Sequence, residues 1–293
     1  MKIGLFALGF GTGSSPEVIR AVAVGAEKAG VATLWVGEHV VLFDQHQSKY
    51  PYSPEGRFPA PANVDWLDPF IALTYAAALT SRIRLATGIC LVPEHNPLVL
   101  AKEIASLDRV SGGRFAFGVG IGWLAEEFAA LGIPFERRAQ RTREYLDVIR
   151  HLWSDEATTY HGEFVRFDAA RCYPKPAQGA KIPIIFGGES GPALKRTADI
   201  GDGWFGFNLG PRDAAQKIER LRAMLSANQR DPAKVELIVA PYSVRITTDD
   251  LARYRDAGVH EVVMVTNAPA DASRVPSWID SFTREWVEPA ARL

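Results

Sequence analysis

Short apolar runs alternate with amphipathic stretches eight times along the 293 residues, and no other feature of the sequence constrains the fold as strongly. Several of these runs are continuously apolar, as expected for strands that are buried on both faces of a parallel sheet. Eight strand–helix pairs in a chain of this length are typical of a (β/α)₈ TIM barrel, an α/β fold. We therefore predict that residues 1–293 form one (β/α)₈ barrel domain. The predicted strands are Lys2–Leu8, Thr33–Gly37, Ile83–Val92, Arg114–Gly120, Pro183–Phe186, Gly203–Phe207, Val235–Ser243 and Glu261–Val265.

The ends of the predicted helices support the same count. Ser15-Pro16, Asp68-Pro69 and Asn96-Pro97 each place a capping side chain before a proline at the first helical position. Gly30 and Gly258 directly follow helix ends. An open doubly wound sheet is the main alternative, but no G-x-G-x-x-G motif follows the first strand. The predicted helices are Pro16–Ala29, Asp68–Leu79, Pro97–Val110, Arg137–Trp153, Gly191–Ile200, Pro211–Asn228, Thr248–Ala257 and Ala272–Trp286.

Two segments are longer than ordinary barrel connections. His39–Leu67 follows the second strand and contains four prolines, which predicts an extended lid. Thr158–Lys181 lies between the fourth and fifth strands and predicts a small hairpin with a proline-rich return. Long insertions in compact domains tend to be functional. We therefore predict a barrel with insertions after strand 2 and between strands 4 and 5.

Charge and cysteine content exclude several function classes. The formal net charge of −1 provides no field to hold a polyanion, so a nucleic-acid partner is not expected. The two cysteines, Cys90 and Cys172, lack metal-ligand spacing and suit a reduced, cytoplasmic setting. Met1–Gly9 is too short for a signal peptide, and Pro69–Leu79 is too short to span a bilayer. The sequence therefore predicts a cytoplasmic protein without membrane or metal partners.

The segment after the fifth strand, Phe186–Pro192, carries the clearest functional signal. A TIM barrel places its active site at the C-terminal ends of its strands. Here Gly187 and Gly188 end a strand and Ser190-Gly191 opens a helix, which exposes backbone N–H groups at the positive helix end. This arrangement suits a phosphate group. A plain tight turn with a serine N-cap explains the same residues, and both interpretations stay open.

His39 follows the second strand and is the second candidate. An imidazole at a strand end can donate or accept a proton near neutral pH. The alternative is a structural histidine paired with Glu38 or with a carbonyl group. Glu126 and Glu127 are expected to begin a helix, where carboxylates are favourable in any case, so a functional role for them is disfavoured.

Glycines after other strands point to a flat ligand at the barrel rim. The loop Leu8–Gly13, which contains Gly9, lets such a ligand approach the backbone. Gly120-Ile121-Gly122 supplies small residues where a planar ring can lie against the rim. No G-x-S-x-G elbow, Walker loop, H-E-x-x-H motif or cysteine cluster is present, which disfavours the corresponding hydrolase, nucleotide and metal chemistries.

Several segments together resemble the luciferase-like monooxygenase superfamily. The resemblance implies a barrel that binds FMN or its deazaflavin analogue, coenzyme F420, at the C-terminal ends of the strands. It extends from strand 1 to strand 6, about two-thirds of the chain. The segments are Leu85–Ile89, Asn96–Lys102, Ser106–Asp108, Ser111–Arg114, Gly118–Trp123, Pro183–Gly188 and Asp202–Trp204.

The resemblance also implies roles for individual residues. Glu38-His39 is similar to the acid–histidine pair of the family, whose histidine lies close to the reactive face of the isoalloxazine ring. Gly88-Ile89 matches the site where many members have a non-prolyl cis peptide behind the ring. Glu189-Ser190 is similar to the contact with the cofactor phosphate. The predicted catalytic residues are His39 and Glu38, and the predicted cofactor-binding residues are Gly9, Gly88, Ile89, Gly122, Gly187, Gly188, Glu189 and Ser190.

Two departures from the family pattern disfavour a light-emitting role and a sugar-phosphate substrate. Ile121 occupies the place of a phosphate-binding arginine in the light-emitting members, and Trp123 that of a catalytic glutamate in the sugar-phosphate dehydrogenases. The chain looks closer to the F420-dependent branch, so we expect hydride transfer between F420 and a small organic substrate. An FMN-dependent monooxygenase is the alternative, and a non-catalytic flavin-binding protein is a third hypothesis. Family members commonly dimerise, which implies a homodimer.

Overall fold

The barrel strands pair in a closed ring. The structure is a computed structural model, and it describes residues 1–154 and 156–293. The first strand contacts both the second and the last, and every pairing within the ring is parallel. The strands are β1 (Lys2–Phe6), β2 (Thr33–Val36), β3 (Arg84–Thr87), β4 (Cys90–Leu91), β5 (Phe115–Gly120), β6 (Thr158–His161), β7 (Arg166–Ala170), β8 (Ile184–Gly187), β9 (Gly203–Phe207), β10 (Glu236–Ala240) and β11 (Glu261–Val265).

The order around the ring is β1, β2, β3, β5, β8, β9, β10, β11 and back to β1. The short strand β4 pairs with β5, as β3 does, so the two share one position in the barrel. The antiparallel pair β6–β7 lies outside the ring and forms the predicted hairpin between barrel strands 4 and 5. The predicted (β/α)₈ barrel with its two insertions is confirmed.

Helices connect successive strands, and their predicted N-caps are confirmed. The side chains of Ser15, Asp68 and Asn96 accept hydrogen bonds from backbone N–H groups of the first turn, at 3.3, 2.8 and 3.0 Å. The helices are α1 (Pro16–Lys28), α2 (Pro69–Leu79), α3 (Pro97–Ser111), α4 (Ala125–Ala130), α5 (Arg138–Ser154), α6 (Gly191–Ile200), α7 (Pro211–Ala227), α8 (Thr248–Ala257), α9 (Val275–Phe282) and α10 (Glu288–Ala291).

Three predicted elements differ from the observed ones. The third predicted strand is interrupted after Thr87 by a cis peptide between Gly88 and Ile89, and pairing resumes at Cys90. The seventh ends at Ala240, because Pro241 begins a turn closed by the Val244 N–H group. The last predicted helix, Ala272–Trp286, divides into a 3₁₀ turn at 272–274, α9 and a π-helical turn at 283–287.

The apolar core has two parts, one inside the barrel and one between barrel and helices. Along β2 the side chain of Trp35 packs inside the barrel, whereas Leu34 and Val36 join the outer layer. Glu261 is also buried, and it accepts hydrogen bonds from Thr33 Oγ1 at 3.0 Å and Trp35 Nε1 at 2.8 Å. The interior cluster consists of Trp35, Ala86, Ala116, Ile185, Phe205, Ile238, Ala240 and Val263.

Residues 41–67, called the lid below, contain no regular helix or strand and cross the C-terminal ends of the barrel strands. The Leu67 N–H group donates to the Gly9 carbonyl at 2.8 Å, and the Gly11 N–H group donates to the Asp65 carbonyl at 2.8 Å. Glu126 accepts hydrogen bonds from the Gln47 and Ser48 N–H groups at 2.6 and 3.2 Å. The lid is therefore attached at both ends. Within the described part of the chain, no helix is both long and apolar enough to cross a bilayer.

Candidate active site

A cavity of about 1250 Å³ opens between the C-terminal ends of the strands and the lid. Ligand pockets usually enclose about 300–1,000 Å³, so this cavity has room for a cofactor and a substrate together. Its wall contains all of the predicted site residues except Gly9. The residues that line it near the strand ends are Phe6, Gly37, Glu38, His39, Gly88, Ile89, Gly120, Ile121, Gly122, Trp123, Gly187, Gly188, Glu189, Ser190, Phe205 and Phe207.

Aromatic side chains from the lid cover the predicted catalytic histidine. The His39 ring lies 5.0 Å from the Trp66 ring and 5.2 Å from the Phe58 ring, between centroids. Phe58 also stacks on Trp123, which leaves the rim at β5, with 5.8 Å between centroids. Tyr50 contacts both Phe58 and Trp123. These contacts place His39 in an apolar part of the cavity that is screened from water.

The side chain of His39 is held by Glu127 rather than by Glu38. Its Nδ1 atom lies 2.8 Å from Oε2 of Glu127, and only 7% of the histidine side chain is exposed. The other oxygen, Oε1, accepts hydrogen bonds from the N–H groups of Val40 at 2.6 Å and Val41 at 3.1 Å. One carboxylate therefore orients both the imidazole and the backbone that carries it.

Sequence reasoning missed Glu127, because a carboxylate at the start of a helix is favourable without any function. The spacing contained a signal nonetheless. Glu127 lies three residues after Leu124 and directly before Phe128, and both of these apolar side chains are buried. On a helix, positions 124, 127 and 128 lie on one face, so this spacing predicts that the Glu127 side chain points inwards.

Glu38, the second predicted catalytic residue, points to a different partner. Its Oε1 lies 2.9 Å from Nε2 of His95, and its Oε2 accepts a hydrogen bond from the Leu91 N–H group at 2.5 Å. Burial raises the pKa of Glu38, but the hydrogen bond and charge of His95 outweigh it and lower that pKa overall. Burial lowers the pKa of His95, and Glu38 raises it by more. The two residues form a buried ion pair that connects β2 to β4.

Cys90 lies beside this ion pair, and its sulfur and the ligand atoms of Glu38 and His95 are all within 4.8 Å of one another. The Glu38 carboxylate already has two partners, so it serves as the acceptor of an ion pair and of a strand amide. Both cysteines are buried free thiols.

Ile89 fills the barrel mouth between two glycines, Gly120 and Gly187. The peptide bond before it, Gly88-Ile89, is cis, as the family resemblance implies. A Cβ built on Gly120 would lie 2.3 Å from Ile89 Cδ1, and one built on Gly187 would lie 2.6 Å from it. A Cβ on Gly118 would instead overlap the Thr87 carbonyl oxygen, 1.8 Å away. Gly120 and Gly187 therefore make room for Ile89, which forms part of the cavity wall.

Gly122 makes room for a buried carboxyl group. Its φ of +74° favours glycine, and its carbonyl accepts a hydrogen bond from Arg138 Nε at 3.2 Å. Behind it lies Glu94, a buried residue whose two carboxyl oxygens have no hydrogen-bond partner among the described residues. Burial, together with the charges of Glu127 and Glu38, raises the pKa of Glu94 to about 9. Glu94 is therefore neutral near pH 7.

At the predicted phosphate site, both open interpretations describe part of the geometry. Ser190 caps α6, because its Oγ accepts a hydrogen bond from the Ala193 N–H group at 3.3 Å. The N–H groups of Gly188, Ser190 and Gly191 have no protein acceptor within the described residues. Three free donors at the positive end of a helix can bind an anion.

An arginine that sequence reasoning did not single out lies near these donors. Arg196, on α6, lines the same cavity, and its Nε atom is buried without a partner in the described residues. Burial lowers the pKa of Arg196, and the charge of Arg138 lowers it further. A buried guanidinium donor without a partner among the described residues favours a bound anion at this place in the cavity wall.

Two further predicted cofactor-binding residues, Glu189 and Gly9, are hydrogen-bonded to other parts of the protein. Glu189 lines the cavity, but its carboxylate accepts a hydrogen bond from the Phe207 N–H group at 2.7 Å and so faces β9. Burial raises the pKa of Glu189. Gly9 lies in the turn beside the cavity, where its N–H group donates to the Gly13 carbonyl at 2.9 Å. Contact of either residue with a cofactor stays a prediction.

Comparison with known sequences identifies relatives along almost the whole chain. The sequence profile of the family described as luciferase-like monooxygenase matches residues 1–284. The uncharacterized protein Rv0953c of Mycobacterium tuberculosis is 39% identical over 243 residues, which cover 81% of this chain and 83% of that protein.

Two solved structures illustrate the range of cofactors used with this fold. A coenzyme F420-dependent tetrahydromethanopterin reductase from Methanopyrus kandleri superposes with a TM-score of 0.75 at 18% identity, over 98% of both chains. The oxygenating constituent of 3,6-diketocamphane monooxygenase from Pseudomonas putida, in complex with FMN, superposes with a TM-score of 0.73 at 14% identity, over 97% of this chain and 96% of that one. At these identities the likeness shows the fold.

Proposed function

Since the chain belongs to the luciferase-like monooxygenase family, we propose that it is an oxidoreductase that uses coenzyme F420 to transfer a hydride to or from a small organic substrate. The observation that carries this proposal is a single cavity that joins free helix-end donors at α6 to a buried histidine at the end of β2. The first suits the anionic end of such a cofactor, and the second suits proton exchange beside its ring.

The anionic end of the cofactor is assigned to the start of α6. The N–H groups of Gly188, Ser190 and Gly191 would donate to a phosphate, and a contact of Gly187 with the cofactor stays a prediction. The Arg196 guanidinium would supply the positive charge that Ile121 does not. Hydrogen bonds from charged donors to phosphate are stronger than those between neutral groups, so Arg196 adds both charge and specificity.

The ring system is assigned to the mouth of the barrel, with Gly88 and Ile89 behind it and Gly122 at its edge. When bound, F420 supplies the hydride chemistry, and the protein supplies binding, orientation and electrostatics. The lid aromatics Phe58 and Trp66 exclude water from this part of the cavity. The remaining space beneath the lid is assigned to the substrate.

His39 is assigned the proton that accompanies the hydride. Its Nδ1 atom is bound to Glu127, which leaves Nε2 as the atom available to a substrate. A histidine in this position exchanges a proton with the substrate oxygen or nitrogen near neutral pH. Glu38 holds the segment that carries His39 through its ion pair with His95, and a direct catalytic role for Glu38 stays a prediction.

The second candidate is an FMN-dependent monooxygenase, favoured by the likeness to the FMN complex of the Pseudomonas enzyme. The chemistry of the residues named above is compatible with FMN, because the phosphate donors and the apolar ring site are the same. The run Gly120-Ile121-Gly122-Trp123 resembles the F420-dependent branch, which favours F420 over FMN, and the absence of an arginine at position 121 disfavours a light-emitting role.

Parallel titrations with F420, FMN and riboflavin, followed by fluorescence, test the proposal. We expect F420 to bind more tightly than FMN, and reduced F420 to be oxidised in the presence of carbonyl or enone acceptors. Tight FMN binding without affinity for F420 would overturn the cofactor assignment. Binding of F420 without turnover of any acceptor in a broad panel would favour the non-catalytic hypothesis instead. Light scattering tests the expected homodimer.

A further inference from the structure

We propose that Glu127 is a positioning residue that fixes the tautomer of His39, so that Nδ1 carries the proton and Nε2 is the acceptor that faces the cavity. The proposal deepens the proposed function, on which it rests for the role of His39. It assigns to α4 a function that was not expected from the sequence.

The two oxygens of the Glu127 carboxylate have different partners. Oε1 accepts from the N–H groups of both Val40 and Val41, and Oε2 lies 2.8 Å from Nδ1 of His39. Backbone N–H groups can only donate, so Oε1 is occupied as an acceptor. The side chain of Glu127 is 0% exposed, so water does not compete for these contacts. The carboxylate is held in one orientation by three contacts.

A neutral imidazole has one N–H donor and one acceptor nitrogen. Because Nδ1 faces a carboxylate oxygen, Nδ1 is the donor, and Nε2 is left as the acceptor. In this tautomer His39 can take a proton at Nε2 and return it without moving its ring. The opposite tautomer would place two lone pairs against each other at 2.8 Å.

The other titratable groups near His39 do not compete for Nδ1. Glu94, from the turn after β4, is neutral near pH 7 because burial, Glu127 and Glu38 raise its pKa to about 9. Glu38 is bound to His95. His46, from the lid, donates a hydrogen bond from Nδ1 to the Ser48 carbonyl at 2.7 Å, and its ring makes an edge contact with the Trp123 ring. Glu127 is therefore the acid that faces the histidine.

Glu127→Gln is expected to reverse the tautomer. The Gln oxygen has to face the Val40 and Val41 N–H groups, because turning the amide would leave two buried donors opposite an NH₂ group. The NH₂ group then faces Nδ1 of His39, which becomes the acceptor, and the proton moves to Nε2. Substitution thus changes the tautomer while the shape of the site is kept.

Nitrogen-15 NMR of histidine-labelled protein measures the tautomer directly, with the His39→Gln variant used to assign the signals. We expect a protonated Nδ1 in the wild type and a protonated Nε2 in Glu127→Gln. The matched control is Glu126→Gln, the adjacent carboxylate, which accepts from two lid N–H groups and contacts no histidine. It should leave the His39 signals unchanged. A protonated Nε2 of His39 in the wild type overturns the proposal, and this result does not require Glu127→Gln to fold.

Turnover provides a second readout. Glu127→Gln is expected to lower kcat by about 10²–10⁴-fold, the range for loss of general acid–base catalysis or reversal of a catalytic histidine's tautomer. Cofactor affinity should change by less than about threefold, and Glu127→Asp should restore part of the rate. Unchanged kcat with a reversed tautomer would overturn the role of Nε2. Because the NMR measurement uses no cofactor, failure of F420 to bind would reject the proposed function without affecting the tautomer assignment.

Discussion

Gly122 leaves the space that the carboxyl group of Glu94 occupies: a Cβ built on Gly122 would lie 2.8 Å from Oε1 of Glu94. The same Cβ would lie 2.6 Å from Cε2 of Phe128. Two residues on neighbouring segments of the rim, one after β4 and one after β5, are thereby fitted to each other. The glycine is required by packing as well as by its positive φ.

Gly122→Ala is expected to destabilise the fold by about 2–4 kcal/mol, because overpacking adds to the cost of a left-handed backbone conformation. Gly132→Ala is the matched control, since Gly132 has a φ of +70° but no atom within 4 Å of its added Cβ. It should cost about 1 kcal/mol from the backbone alone. Urea unfolding of both variants measures the difference, and equal losses would contradict the packing argument.

Glu94→Gln is expected to stabilise the protein increasingly as the pH rises. The folded pKa of Glu94, about 9, is above the usual glutamate pKa of 4.5, so the stability that its proton contributes is present in full below pH 4.5 and is lost towards pH 9. Between pH 4.5 and pH 7 the wild type loses about 3 kcal/mol of this stabilisation, because the interval is 2.5 pH units and each unit corresponds to about 1.4 kcal/mol. Glutamine does not ionise and lacks this dependence.

The measurement is the free energy of unfolding of wild type and Glu94→Gln between pH 5 and 9. Glu219→Gln, an exposed change on α7, serves as the control and should follow the wild type. Parallel pH profiles for Glu94→Gln and wild type would show that Glu94 is not held neutral.

Arg196→Met is expected to weaken binding of phosphate-bearing cofactors by about 10- to 100-fold, because a charge-assisted hydrogen bond contributes about 1.5–3 kcal/mol. Riboflavin, which lacks the phosphate, should bind the variant as it binds the wild type. Lys195→Met is the neighbouring control, because Lys195 is 67% exposed and already pairs with Asp199 at 2.9 Å. An equal loss of riboflavin affinity in Arg196→Met would contradict the prediction, because it would show that the substitution weakens binding of the ring and not of the phosphate.

His39→Ala is expected to lower turnover by about 10²–10⁴-fold, the usual contribution of general acid–base catalysis. Cofactor affinity should change by less than about fivefold, because the proposed phosphate donors lie at the other side of the cavity. His161→Ala, an exposed change on β6 that disrupts a pair with Asp168, should have no effect on turnover. Steady-state kinetics and cofactor titrations distinguish these outcomes, and full activity in His39→Ala would remove the histidine from the mechanism.

Local chemistry explains which parts of the fold were predictable. The N-caps at Ser15, Asp68 and Asn96 depend on contacts within three residues, so short sequence patterns were sufficient to find them. The same holds for the helix start at Ser190. Strand β3 was predicted too long, because the apolar run continues through Gly88-Ile89 to Val92, whereas the observed strand ends at Thr87 and pairing resumes at Cys90.

The pairing of site residues was not predictable in the same way. The sequence places Glu38 beside His39, but side chains of successive residues in an extended chain point to opposite sides. Glu38 therefore faces His95, 57 residues away, and His39 faces Glu127, 88 residues away. Neighbourhood in sequence was misleading here.

The sequence alone determined the periodic apolar pattern, the capped helices and the glycine-rich strand ends, and hence a closed parallel barrel with its site at the C-terminal ends of the strands. Each of those features depends on contacts between near neighbours or on burial that repeats with a regular period. The tertiary structure alone decided which carboxylate orients His39, which buried acid stays neutral and which arginine has a buried Nε atom without a partner among the described residues. Those properties arise only when loops from different strands meet at the rim and exclude water, since desolvation and distance set both hydrogen-bond partners and pKa values.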